Sequence, residues 1–476
     1  MMLAALPEST LALAYLFASI LFIQGLRDMT HPRTAMRGNL ISAGGMFVAV
    51  VVTVLWFEII DPLVLFSALL VGTAVGTILA VRVERTEMPQ LVGLFNGFGG
   101  GASAVVAGAE LVELGSVEAI PADVGVAAVF SGIVGSVTLF GSLVAAGKLH
   151  GLITTSAIRY DGEQVMKVLV LLVALAFGGY LVATPDLFAA QLQADWIPPY
   201  WLLVLAAAVL GILLVVPIGG ADMPVVIALL NAYSGLAAAG TGFVLDNSAL
   251  IIAGTLVGAA GMILTVIMCE SMNRSLTNVL FGGFGEEPDQ EAMDDIYDGN
   301  ITETSPEEVE MLLDTAQRVV IVPGYGMAVA QAQHAVAELA ELLDENDVDV
   351  EFGIHPVAGR MPGHMNALLA EADVPYDKMR ELEEVNPTFS QTDVVIVTGA
   401  NDVVNPKANT DESSPIAGMP VLNVSDARSV IVNKRSLSPG FSGIPNPLFA
   451  KDNTSMLFGD AKASMQELVN AYKENH

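Results

Sequence analysis

A single cysteine, Cys269, stands in a chain of 476 residues, which excludes an intrachain disulfide. Positive charge is scarce as well. Only 20 lysines and arginines face 51 aspartates and glutamates, for a formal net charge of -31. A surface that binds nucleic acid needs a basic face to displace counterions from phosphates, so nucleic acid is excluded as a partner. No cleavable leader is expected, because the first apolar segment, Leu11 to Ile23, runs into Arg27, Arg33 and Arg37 with no small-residue cleavage site between. No metal site is assigned.

Apolar residues are what the chain has in excess, at 53%, too many for a soluble protein of this length. Nearly all of that apolarity precedes Cys269, whereas about two-thirds of the acidic residues follow Gly285. With eight lysines against 51 carboxylates, the acid reads as a surface kept hydrated in a salty cytoplasm. There the Debye length falls to about 3 Å at 1 M salt and the negative field is screened. A halophilic source is expected.

Nine apolar runs approach the length needed to cross a bilayer, at about 10–26, 39–60, 62–81, 90–112, 124–147, 165–184, 200–217, 223–243 and 247–269. Arg27, Arg33, Arg37, Arg82, Arg85, Lys148, Arg159, Lys167 and Arg274 all fall at the ends that an N-outside, C-inside topology places in the cytoplasm. The opposite ends carry Glu58, Asp61, Glu113, Glu118, Asp123, Asp186, Asp195 and Asp246 and no cation. Positive charge marks the cytoplasmic side, so the orientation follows. Glycine pairs such as Gly72/Gly76 and Gly254/Gly258 read as helix packing, and Gly99-Gly100-Gly101 lies inside an apolar helix, not in a phosphate loop. Polar groups are costly in hydrocarbon, which draws attention to Asn96, to Asn231, and to Ser131, Ser136, Thr138 and Ser142. Asp222, just before the eighth span, reads equally as a helix cap or as part of a proton relay.

Three segments are expected: a transmembrane domain at 1–280, an acidic linker with a short helix at 281–316, and a nucleotide domain at 317–476. Ser305-Pro306-Glu307-Glu308 has the form of a capping box. Val319-Val320-Ile321-Val322 breaks into Pro323-Gly324-Tyr325-Gly326, and a helical pattern continues from Ala328 to about Glu345. Strand, glycine turn and helix together form a pyrophosphate site of Rossmann type. The third glycine of the usual fingerprint is replaced by Val329, which is expected to hold helix and strand slightly apart. Further strands are read at 348–352, 393–398, 421–424 and 429–433. No carboxylate follows the second strand, where Gly353-Ile354-His355-Pro356 stands, and this favours NADP over NAD. Lys434-Arg435-Ser436 suits a phosphomonoester, and 437–443 reads as a closing loop. The fold class is thus a polytopic α-helical bundle followed by a doubly wound, Rossmann-like α/β domain.

Taken in order, M-P-Q-L-V-G-L-F-N-G, G-G-A-D-M-P-V-V-I-A-L-L-N-A-Y-S-G, M-N-R-S, V-P-G-Y-G-M-A-V-A-Q-A-Q, F-G-I-H-P-V-A-G-R-M-P-G-H-M-N, V-T-G-A-N-D-V-V-N-P, S-P-I-A-G-M-P-V-L, K-R-S and N-P-L-F resemble the beta subunit of proton-translocating nicotinamide nucleotide transhydrogenase. The resemblance covers essentially the whole chain. It implies a membrane subunit that couples hydride transfer from NADH to NADP⁺ to inward proton movement, in an enzyme of the Si-Re (AB) type. An alpha subunit would bind NAD(H) and add membrane helices, in a dimer of alpha-beta units, while NADP(H) binds this chain, reversed relative to most such folds. Gly324, Tyr325, Gly326, Met327, Ala328 and Val329 would form the pyrophosphate turn, with His355 and Arg360 close by. Gly399, Ala400, Asn401 and Asp402 would sit beside the nucleotide, Asp402 as the candidate catalytic residue that links protonation to affinity. Lys434, Arg435 and Ser436 would take the 2′-phosphate, and Phe441 stands in the closing loop where the family pattern has Tyr. Asn96, which is His in some members, would join Ser142, Asp222 and Asn231 on the proton path. The alternative is a transporter or channel with a cytoplasmic dinucleotide-sensing domain, which would show a charged substrate path or a selectivity-filter sequence. Neither is present.

Overall fold

The computed structural model describes residues 8–30, 32–56, 62–83, 87–117, 120–184, 199–282, 297, 301–440 and 442–476. The chain forms two compact units, one of Met1–Thr154, Ile158–Pro217 and Val226–Thr265, the other of Thr155–Ala157, Ile218–Val225 and Val266–His476.

Long runs without charge become helices in the first unit, since only a helix satisfies its own backbone in hydrocarbon. They are α1 (Glu8–Met29), α2 (Pro32–Trp56), α3 (Pro62–Arg82), α4 (Met88–Val117), α5 (Ala122–His150), α6 (Glu163–Ala183), α7 (Pro199–Val215), α8 (Met223–Val244) and α9 (Ser248–Ser271). Eight of these described helices are long and apolar enough to cross a bilayer, and α7 is a shorter apolar helix of 17 residues. The most apolar stretch of α8 is 78% buried and that of α3 not at all, which makes α8 the central helix. Small residues account for the close approach: a Cβ on Gly235 of α8 would strike the backbone of Gly254 and Gly258 on α9. Gly72 and Gly76 of α3 meet nothing within 4 Å, so the packing expected of that pair is not found among the described residues.

In the second unit, α10 (Pro306–Asp314) opens with the expected capping box, Ser305 and Glu308 satisfying each other's backbone amides. Six parallel strands follow: β1 (Arg318–Pro323), β2 (Asp349–Ile354), β3 (Met379–Glu381), β4 (Val394–Thr398), β5 (Ser429–Lys434) and β6 (Thr454–Phe458), in the order β3-β2-β1-β4-β5-β6. Parallel strands are covered on both faces, and alternation sends Val319 and Ile321 into one core and Val320 and Val322 into the other. The longer helices that follow are α11 (Tyr325–Ala330), α12 (Gln333–Glu345), α13 (His364–Glu371) and α14 (Ala461–Asn475).

Three expectations are corrected here. Residues 421–424 are not a strand: Leu422 and Val424 are buried, but the Leu422 amide bonds to Val403 O and a 3₁₀ turn begins at Val424. The helix expected from Ala328 to Glu345 is two helices, because Gln331 takes a left-handed φ of 52° and ends α11. Val329 does not wedge helix from strand. It is 50% exposed, while its neighbour Ala328 is fully buried in the core that holds Val319 and Ile321 of β1.

Candidate functional site

The strand order reverses between β1 and β4, and that switch point leaves a crevice beyond the carboxyl ends of the strands. Two glycine turns meet there. The Gly324 amide donates to Thr398 O at 2.9 Å and the Gly326 amide to Gly399 O at 2.8 Å, so two amides of the turn lace it to the β4 loop. Gly399 has φ 67°, and a Cβ on Gly324 would collide with the Gly399–Ala400 backbone. Gly324→Ala should therefore destabilise this unit by about 1–3 kcal/mol, as overpacking against rigid backbone does. Thermal unfolding of the detergent-solubilised chain checks this, and an unchanged midpoint would count against the lacing.

A cavity of about 490 Å³ opens at this point. Gly324, Tyr325, Gly326 and Val329 line it from the β1 side, Gly399, Ala400, Asn401 and Asp402 from the β4 side, and Lys434, Arg435 and Ser436 from the end of β5. Met327 and Ala328, also expected on the nucleotide, are fully buried beneath the turn.

The closing loop contributes Ser438, Pro439, Gly440 and Ser442, and the wall that sequence alone did not supply comes from Val357–Gly359, Ile416, Met419 and Gly459–Ala461, with Pro224 and Met272 of the same unit. Asp402 fastens the closing loop: its Oδ1 accepts from Ser442 Oγ at 2.6 Å and its Oδ2 from the Ser442 amide at 3.1 Å. Lys434 Nζ donates to Ser438 O at 2.5 Å. Burial pulls the Lys434 ammonium below the ordinary lysine value, while Asp402 opposes that shift and Arg435 adds to it. Asn446 holds the far end of the loop, donating to Asn401 O and Oδ1, each at 3.1 Å. Its place at the head of Asn446-Pro447-Leu448-Phe449 was the available signal. Phe441 lies outside the described residues.

His355 was expected on the nucleotide and is placed otherwise. Its Nε2 donates to Pro420 O at 2.7 Å while Nδ1 accepts from the Val357 amide at 3.2 Å, so both nitrogens of this buried ring serve backbone groups. Burial holds its pKa at about 4. A depressed histidine pKa contributes stability that is complete above the unfolded value near 6.5 and is lost as pH falls towards the folded value, on the order of 3 kcal/mol in all. The stability of this unit should fall between about pH 6.5 and 4, and His355→Gln, which keeps the Nε2-like donor, should flatten that slope. Equal slopes in the thermal midpoint of the two chains would contradict this.

Arg360 does not line the cavity directly. Its guanidinium lies 4.5 Å from the centroid of the Tyr325 ring, and Tyr325 is on the wall. The second-strand carboxylate Glu351 is taken by Arg318 and by Arg380, the latter at 2.8 Å, and so is not offered to a ribose.

Of the four expected proton-path residues, Asn96, Ser142 and Asn231 belong to the first unit and Asp222 to the second. Asn96 Nδ2 donates to Ile227 O across α4 and α8 at 3.3 Å. Ser142, on α5, is buried beside Gly97, and Asn231 lies one turn beyond Ile227 on α8. Asp222 is fully buried in the other unit, with Oδ1 3.2 Å from Arg274 Nη1, and Oδ2 meets no hydrogen-bond donor among the described residues. The side chain thus makes an ion pair and not a helix cap. Burial raises the Asp222 carboxyl above the usual carboxylate range, and the Arg274 guanidinium opposes the shift.

A unit of apolar helices, and in the same chain a parallel sheet that opens a glycine-lined crevice at its switch point, define a multi-pass membrane protein with a dinucleotide-type domain. The pattern of the NAD(P) transhydrogenase beta subunit matches residues 11–471. A protein named NAD(P) transhydrogenase subunit beta, from Rhodospirillum rubrum, is 45% identical over 464 residues, which cover 96% of this chain and 98% of the relative. A second relative of that name, from one strain of the same species, matches with the same figures. The chain belongs to the NAD(P) transhydrogenase beta-subunit family. Membership makes a nicotinamide nucleotide its cofactor class and an alpha subunit its partner class.

Proposed function

We propose that the crevice holds NADP(H), and that this chain is the proton-translocating, NADP(H)-binding half of a transhydrogenase whose alpha subunit brings NAD(H). The observation that carries the choice of nucleotide is the pairing of Lys434 and Arg435 with Ser436 on one wall, in a unit so poor in cations, while Glu351 is occupied by two arginines. Two cations and a hydroxyl suit a dianionic phosphomonoester, and the laced glycine turns keep side chains out of the crevice floor. When bound, NADP⁺ supplies the acceptor for a hydride from NADH held by the partner.

The chain's own residues position and couple. Asp402 and Lys434 fasten the closing loop across the site, so their state governs how readily the loop opens. The buried Asp222–Arg274 pair belongs to the same unit as the crevice and is the candidate through which protonation reaches nucleotide affinity. One proton moving down about 100 mV supplies roughly 2.3 kcal/mol, enough to bias a redox ratio by on the order of 10- to 100-fold. Asn96, Ser142 and Asn231 would carry the proton through the bundle. The topology is N-terminus outside, with the NADP(H) site in the cytoplasm of a cell membrane, in a dimer of alpha-beta units. The domain boundaries that go with this reading are 1–280, 281–316 and 317–476.

The test is reconstitution with the alpha partner in vesicles, following NADPH formation with and without an imposed proton gradient. Binding of NADH in preference to NADPH by this chain, or a rate indifferent to the gradient, would end the proposal. The net charge of -31 carries a further expectation, that the chain is salt-adapted. Cooperative unfolding should then set in when salt is lowered to about 50 mM, where the Debye length exceeds 10 Å; a fold and activity unchanged at that salt would refute it.

A further inference from the structure

In the segment Phe352 to Asn366 one titratable group serves no role so far. His364 begins α13 and is buried, with 1% of its surface exposed. Its Nδ1 accepts the backbone amide of Arg360 at 3.1 Å. A neutral imidazole whose Nδ1 accepts must carry its proton on Nε2, and that Nε2 has no hydrogen-bond partner among the described residues. The ring is therefore placed by one polar contact, and that contact is to Arg360.

The turn around it is shaped to fit. Gly359 has φ 107°, and a Cβ there would run into the His364 ring, so the chain passes flush against the imidazole before Arg360. From there the Arg360 guanidinium reaches the face of Tyr325 at 4.5 Å. The Tyr325 and His364 rings stand 6.3 Å apart, so Arg360 is clasped at its backbone by one ring and at its guanidinium by the other. Tyr325 and Gly359 both line the cavity.

We propose that His364 is a positioning residue for nucleotide binding: as a neutral acceptor it sets the backbone of Arg360 and so holds that guanidinium against Tyr325 of the crevice wall. The inference rests on the reading that the crevice holds NADP(H) and that Arg360 acts on its phosphates. Burial and the nearby Arg360 charge both favour the neutral ring, the form the geometry requires. A protonated ring would set an N–H against the Arg360 amide and lose the contact.

A double-mutant cycle tests the idea on the full detergent-solubilised chain, with NADPH affinity as the readout and the thermal midpoint as the check on folding. Arg360→Ala should weaken NADPH binding by about tenfold or more, the loss of one charge-assisted contact. His364→Phe, which keeps a ring but has no acceptor, should weaken it by about three- to tenfold. His364→Asn restores an acceptor oxygen near the Nδ1 position and should return binding to within about twofold of the unaltered chain. In the Arg360→Ala background, His364→Phe should have no further effect beyond about twofold. Additive losses, or failure of His364→Asn to rescue, would overturn the proposal by showing a purely structural ring. Arg360→Ala without any loss would instead overturn the reading on which it rests. The same cycle with His364→Leu supplies the result should the phenylalanine ring not be accommodated.

Discussion

A chain carrying Lys434→Ala together with Arg435→Ala should bind NADPH on the order of 100-fold more weakly than the unaltered chain, with NADH binding changed by less than about threefold. Each charge-assisted contact to a phosphate contributes about 1.5–3 kcal/mol, and only NADPH has the 2′-phosphate to lose. The asymmetry is the informative part. A general collapse of the crevice would weaken both nucleotides alike, and that outcome would remove the assignment of these two cations. Arg435→Ala alone makes a cleaner second measurement, because Lys434 also holds Ser438 O and lies 5.7 Å from the centroid of the Phe449 ring, whereas the Arg435 side chain is exposed. Removing it takes away charge with little packing.

Those two cations stand out in the sequence because of their rarity. In a unit dominated by carboxylates, Lys434-Arg435 at the end of an apolar strand has few competing explanations, and the fold places both on the cavity wall. The membrane helices were legible because bilayer thickness sets a minimum length that few soluble helices meet with so little charge. β1 and β4 were legible as buried β-branched runs. β3 and β6 were not. β3 is three residues, Met379–Glu381, mostly exposed at the sheet edge and without an apolar run, and β6 opens on Thr454 and Ser455, which leaves only the short run Met456, Leu457 and Phe458 to detect. The run at 421–424 misled for the opposite reason: it is apolar because it lies buried against Val403 and its neighbours, and burial alone does not make a strand.

Site residues divide along a similar line. Those near the ends of β1, β4 and β5 share a wall because a parallel sheet brings its carboxyl ends together, and that could be argued from strand order. His355 could not be placed the same way, since its partner Pro420 is 65 residues away and only the folded loop shows that both its nitrogens face backbone. The hold of Asp402 on Ser442, across 40 residues, was hidden for the same reason. Chemistry-bearing residue types announce themselves in sequence. Whether such a group faces a ligand or its own backbone depends on contacts remote in the chain.

Asp222→Asn should leave NADPH binding measurable but remove the dependence of hydride transfer on an imposed proton gradient, in vesicles that also contain the alpha partner. Asparagine keeps the shape and one acceptor for Arg274 but cannot take up and release a proton in the relevant range. The same change leaves the Arg274 charge poorly paired in a buried site, and breaking such a pair costs about 3–5 kcal/mol. A loss of coupling could therefore come from lost protonation or from damage around Arg274. The double variant Asp222→Asn, Arg274→Met separates the two, because it removes the orphaned charge and should recover stability. If protonation of Asp222 is the link, the double variant is stable and still uncoupled. If the double variant couples normally, the pair is structural and the proton's path to the crevice runs elsewhere. Normal gradient dependence in Asp222→Asn alone would settle the matter sooner, since coupling would then persist without a carboxylate at this fully buried site beside Arg274.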